Sequence, residues 1–211
     1  MFALFREPEW TPRFNISPGE MTLTIRIHPD GRRLAERSQW GLVPEHSQHG
    51  QKYWQIARAE TVATTWPFST VFGRQHCLIV TDGFYEWQKF NRRESQPWHI
   101  FRKDETPLVM AGIWDHWQTP AGELLESFAM LTTAPNEFMS EIHHRMPLIL
   151  GPGDWAGWLT TTNANQAHLL EMLTPCPSEW LERTAVSDFV NKTENDSPEC
   201  ICPVKAMKML F

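Results

Sequence analysis

No apolar run in this chain approaches the roughly 18 residues that a membrane-crossing helix needs, although 41% of its 211 residues are hydrophobic. The opening stretch "MFALFREPEW" carries acids and a proline where an export signal would have its apolar segment. A cytoplasmic protein with no membrane contact is expected. Cysteine is scarce: Cys77, Cys176, Cys200 and Cys202 are too few for a disulfide framework. Cys200 and Cys202 lie too close together for a relaxed mutual bridge, and a lone C-x-C pair is a weak metal signal. Free thiols and no metal are expected. Basic charge is also short, with 19 Lys and Arg against 25 Asp and Glu. Any contact with nucleic acid must therefore come from a local patch rather than bulk charge. No internal repeat, Gly-rich phosphate loop, G-x-S-x-G elbow or H-E-x-x-H motif occurs, which removes several nucleotide-binding, esterase and metalloprotease classes.

What is present fits one domain spanning 1–211. Its eleven tryptophans suit core packing, with a few exposed rings available to stack on bases. "MTLTIRI" alternates in polarity as a strand does, and "HPDGRR" behind it has turn chemistry. "LAERSQWGLVP" returns toward Pro44. "ETVATTWPF" reads as a short helix ended by Pro67. "HCLIVTDGFYEWQK", "PWHIFRK" and "PLVMAGIWDHW" read as three successive antiparallel strands, "ESFAMLTTAP" as a fourth and "RTAVSDFV" as a later one. "GPGDWAGWLT" and "NANQAHLLEML" read as helices, the second capped by Asn163 or Asn165. A polar, turn-rich tail, 191–211, should wrap the surface. Short strands with a few helices between and after them predict an α+β fold, a curved and mostly antiparallel sheet or barrel with flanking helices.

Three stretches hold residues with chemical potential. In "TDGFYEWQK", strand alternation puts Glu86 on one face with Phe84 and Gln88, opposite Tyr85 and Trp87. Glu86 is either a solvated strand acid, paired with Lys89 or Arg92, or a general acid or base whose pKa is raised by apolar surroundings. "EIHHRMPLIL" sets His143, His144 and Arg145 before an apolar strand. It is either a polar turn or a proton shuttle beside a phosphate-binding arginine. In "QIARAET", Arg58 contacts phosphate or forms a same-face ion pair with Glu60, which on a surface contributes about 0–1 kcal/mol.

Taken in order, "RFNISPGE", "WGLVP", "ARAET", "TDGFYEW", "EIHHRMPLIL" and "AVSDFVNKTENDSPEC" resemble the SOS response-associated peptidase (SRAP) family, from about Arg13 to Ile201. The resemblance implies a barrel-like α+β fold and engagement of abasic sites in single-stranded DNA in the DNA damage response. It implies that Glu86 and His143 handle protons during sugar ring opening and imine formation. Arg58 and Arg145 would hold backbone phosphates, and Trp40 and Pro44 would lie on the DNA-binding face. No cofactor is implied, and a monomer is expected.

Two positions depart from the family pattern. The family begins Met-Cys-Gly-Arg and uses the cysteine to close a thiazolidine crosslink on the abasic sugar, whereas Phe2 stands here. The asparagine that precedes Ala-Arg in the family is Ile56, which cannot form an amide's hydrogen bonds. The expectation is therefore a divergent member that binds single-stranded or abasic DNA with crosslinking impaired, the Met1 α-amine being available for a reversible imine. The alternatives are a peptidase or other hydrolase, as the family name suggests, for which His143, His144 and Glu86 would be the first zinc candidates, and a phage-related interaction module without chemistry.

Overall fold

The computed structural model describes residues 2–48, 50, 53–161 and 166–207. Their strands are β1 (Met21–Ile27), β2 (Arg33–Trp40), β3 (Ile56–Arg58), β4 (His76–Thr81), β5 (Gly83–Lys89), β6 (Ser95–Arg102), β7 (Leu108–Gln118), β8 (Leu124–Thr133), β9 (Met146–Pro147) and β10 (Leu181–Ala185). The helices are short: α1 (Phe68–Val71), α2 (Glu137–Ser140), α3 (Trp155–Thr160) and α4 (Gln166–Glu171). The strands form two sheets. In the larger, the order is β2-β1-β4-β7-β8-β3, and β9 pairs with β8. Gln39 and Trp40 of β2 also pair in parallel with Ser127 and Phe128 of β8, which closes β2, β1, β4, β7 and β8 into a barrel. The smaller sheet has the order β10-β6-β5. The α+β, mostly antiparallel, barrel-like architecture expected from the sequence is the one observed.

Strand alternation divides the large sheet's side chains between two cores. Ile25, Leu78, Val109, Ala111, Ile113, Ala129 and Leu131 pack with helices α1, α3 and α4. The other face carries Ile79, Leu108, Met110 and Phe128, which meet Ile100 and Phe84 of the small sheet and Met139, Ile142 and Met146 from the α2–β9 segment. Arg26 of β1 identifies this second face as the barrel interior. It reaches Glu126 on β8 and lies 4.2 Å from the Trp114 ring on β7, although neither strand pairs with β1.

Three local readings are corrected. The stretch from His76 to Lys89 is not one strand: it breaks at Asp82, so that β4 joins the barrel and β5 the small sheet. A local turn makes the break, with the Thr81 hydroxyl donating to Gly83 O at 2.8 Å. β6 accordingly pairs with β5 and β10, while β7 pairs with β4 and β8, so the three expected neighbours are divided between two sheets. "ETVATTWPF" is a series of turns rather than a helix. Pro67 stands at the start of α1, where its missing N–H costs nothing, after a Thr-rich run with poor helix propensity. "RTAVSDFV" is strand only to Ala185; the Ser187 hydroxyl then accepts from Phe189 N and caps a 3-10 turn, Asp188–Asn191. The proposed caps Asn163 and Asn165 lie outside the described residues.

Residues 13–15 and 190–196 are stitched together beneath the small sheet. The Asn15 amide donates to Val190 O, Lys192 O and Asn195 O at 3.0–3.1 Å. Asp196 accepts from Phe14 N at 2.5 Å and Asn15 N at 3.0 Å, and pairs with Arg13. Val186, Val190 and buried Cys200 form a third core there with Phe14, Tyr85 and Trp87. This is the face of β5 opposite Glu86, as strand alternation requires.

Candidate functional site

Glu86 projects from β5 opposite Trp98 of β6. The strand can begin where it does because residue 83 is glycine. A Cβ there would stand 2.3 Å from the His99 ring and 2.7 Å from Ile100 O. His143 arrives from the loop between α2 and β9, which is pinned inward by buried Met139, Ile142 and Met146. Its Nδ1 lies 3.4 Å from Glu86 Oε1, with both side chains about a quarter to a third exposed (24% and 32%). Glu86's partner is thus His143, not Lys89 or Arg92.

Burial pushes the Glu86 carboxyl above its ordinary range, against the opposing pull of His143 and the Trp87 N–H. A carboxyl shifted toward neutrality beside an imidazole suits proton transfer in both directions. The same His143 Nδ1 stands 3.1 Å from Arg145 O and 3.3 Å from Arg145 N. Protonated, it donates to an oxygen; unprotonated, it accepts the Arg145 N–H, so either state of the ring has a partner. The rings of His143 and exposed His144 are 4.3 Å apart.

Arg145 turns away from this pair. Its guanidinium forks onto Glu60 at 2.6 and 2.9 Å and donates to Thr132 O at 2.7 Å. Glu60 is held below the usual carboxylate range, chiefly by that hydrogen bond. The suggested Arg58–Glu60 pair is therefore not the main contact of Glu60. Arg58 is exposed on β3, opposite Thr132 of β8, with no hydrogen bond from its guanidinium to the described residues. Ile56 shares its outward face and is 49% exposed, while Ala57 between them is fully buried. Trp40 is half-buried and donates to Gln55 O beside β3. Pro44 is buried, so it supports this surface from beneath rather than presenting a ring on it.

The Met1 amine lies outside the described residues. Phe2 packs against Trp155 with ring centroids 4.9 Å apart, and its carbonyl accepts from Arg33. Phe5 N donates to Arg33 O. Arg33 begins β2 and Trp40 ends it, so this N-terminal segment docks about 23 Å along the strand from Trp40. Burial raises the Cys77 and Cys176 thiols to about 12, so neither is a nucleophile at neutral pH. Among the described residues no group of three or more His, Cys, Asp or Glu side chains could hold a metal ion, and no helix is long and apolar enough to cross a membrane.

Glu60 as the Arg145 partner, and Gln88, Glu141 and Arg183 around the His143 loop, were not singled out as functional from the sequence. Of these, Glu60 had a signal in the sequence as an expected partner of Arg58, and Gln88 through its shared face with Glu86.

The site thus lies on a closed barrel with a three-stranded side sheet, and its carboxyl–imidazole pair comes from β5 and the α2–β9 loop. The family model for SOS response associated peptidase (SRAP) matches residues 3–193, and the chain belongs to this family. It is 34% identical over 197 residues to the abasic site processing protein YoqW of Bacillus subtilis, covering 92% of this chain and 88% of that protein. It is 29% identical to the abasic site processing protein HMCES of Pongo abelii, with 94% of this chain and 69% of that one covered. A crystal structure of a Bordetella bronchiseptica protein superposes with a TM-score of 0.76 at 29% identity, covering 88% and 92% of the two chains. One from Bacteroides thetaiotaomicron gives 0.78 at 25% identity, over 89% and 82%.

Proposed function

We propose that this protein processes abasic sites in single-stranded DNA, binding as a monomer through the β3 edge and acting on the sugar with Glu86 and His143. The observation that carries the reading is the 3.4 Å approach of His143 Nδ1 to a carboxyl that burial has pushed upward. An abasic sugar rests mostly as a closed hemiacetal. Opening it requires a proton delivered to the ring oxygen and one removed from the C1′ hydroxyl as the C1′–O4′ bond breaks, leaving an aldehyde and a 4′-hydroxyl. A carboxyl and an imidazole sharing one proton supply both transfers. An amine then adds to the aldehyde and water leaves. The Met1 α-amine, expected from the sequence for this step, adjoins Phe2, which docks at the Arg33 end of β2 away from Trp40, so an amine from outside the chain is the nucleophile the geometry favours. An abasic site has no base to read, so binding rests on phosphates and on stacking with neighbouring bases. Exposed Arg58, with half-buried Trp40 further along β8, suits those contacts.

Two measurements test this. The first is a gel shift on single-stranded oligonucleotides with and without one abasic site, with the mass of the complex read by light scattering. The second is the rate at which a small alkoxyamine captures the bound sugar as an oxime, with borohydride trapping of any imine to the protein. Tighter binding of the abasic strand and faster capture are expected. No shift removes the binding, unaccelerated capture removes the acid–base role, and absence of a borohydride adduct removes Met1 as nucleophile. Arg58→Ala should weaken binding about tenfold whatever the sequence, and reduce the salt slope of log K by about 0.7, the value for one phosphate contact on a single strand.

A further inference from the structure

We propose that Gln88, Glu141 and Arg183 form a clamp that positions His143 against Glu86. This rests on the reading above, in which those two groups are the acid–base pair. Glu86 sits on a strand, but His143 sits on a loop behind a helix of four residues, which is too short to aim a side chain by itself. The link back to β5 is made at Glu141, two residues before His143. Its carbonyl accepts from Gln88 Nε2 at 2.8 Å, and its carboxylate accepts from Arg183 Nη2 at 2.8 Å.

Both donors are themselves oriented. Gln88 Oε1 accepts from the Trp98 indole at 3.1 Å, so only one setting of the amide satisfies both partners. The Arg183 guanidinium lies 4.7 Å from the Trp98 ring and 5.4 Å from Phe138. Its Nη1 is buried with no acceptor among the described residues, so Glu141 is the charge that compensates it. β5, β6 and β10 thus converge on one residue of the loop. Neither Gln88 nor Arg183 hydrogen-bonds to Glu86 or His143 among the described residues. They act through the backbone between Glu141 and His143, where a displacement of about 1 Å is enough to lose a large part of a proton transfer's rate.

The test measures alkoxyamine capture by Gln88→Met, in the wild-type and His143→Ala backgrounds, with amide hydrogen exchange on the DNA-free protein. Glu141→Gln, isosteric and at a surface position, serves as a second variant should Gln88→Met not fold. The expected result is a roughly tenfold slower capture with unchanged DNA affinity, and no further loss in the His143→Ala background. A wild-type rate, or an equal loss without His143, overturns the clamp. Should the wild-type protein itself not accelerate capture, the acid–base reading fails on its own and exchange decides the clamp. The His143 and Arg145 amides must then exchange about tenfold faster in the variant while barrel amides hold; unchanged exchange overturns it.

Discussion

Glu86→Gln should slow alkoxyamine capture of an abasic sugar about a hundredfold, the usual scale for removing one positioned acid or base, while affinity for the abasic strand stays within about threefold. The amide keeps the shape of the carboxyl and can hydrogen-bond to His143, but it can neither give nor take the proton. Affinity should persist because the phosphate contacts are assigned to Arg58. The pH profile sharpens the test. Burial holds the Glu86 carboxyl above its ordinary range, so the acidic limb of the wild-type profile should lie above the usual carboxylate pH and should vanish in the variant. A variant that retains both the rate and the limb would mean that Glu86 is only a structural member of the strand.

Asp196→Asn should lower folding stability by about 2 kcal/mol at neutral pH, the scale of losing charge-assisted hydrogen bonds. The carboxylate receives two backbone N–H groups and the Arg13 guanidinium, and the replacing amide turns a donor toward donors. Burial pushes this carboxyl up, but the Phe14 N–H, the Arg13 hydrogen bond and the Asn15 N–H outweigh it, and the net shift is downward. A lowered folded pKa means that the contribution is present above the unfolded value near 4 and is lost as pH falls through the folded one. Urea melts from pH 7 to pH 3 should therefore show the difference between wild type and variant shrinking below about pH 4. A difference independent of pH would assign the loss to packing instead.

Much of the candidate site was legible in the chain. Period-two alternation placed Glu86 with Phe84 and Gln88, and the structure puts Tyr85 and Trp87 in the core on the other side. Short-range chemistry was read less well where two local signals competed. "IVTDGFYEW" is strand-prone throughout, yet the Thr81 hydroxyl and the missing Cβ of Gly83 let it break and change sheets. "ATTWPF" looks like a helix stopped by proline, yet the stretch is turns and proline precedes the next helix, α1.

The sequence by itself determined the family and the α+β class, because motif order and residue chemistry survive without coordinates. It also showed which side chains are acids, bases and cations. Only the tertiary structure decided their partners: Glu86 with His143, Glu60 with Arg145, and Asp196 with Arg13, Phe14 and Asn15. These pairs lie 57, 85 and more than 180 residues apart, beyond any local periodicity. They meet because the barrel closes through β2 and β8 and because the small sheet stacks β10 beside β6. In the proposed clamp, the position of His143 beside Glu86 depends on where three strands deliver Gln88, Trp98 and Arg183.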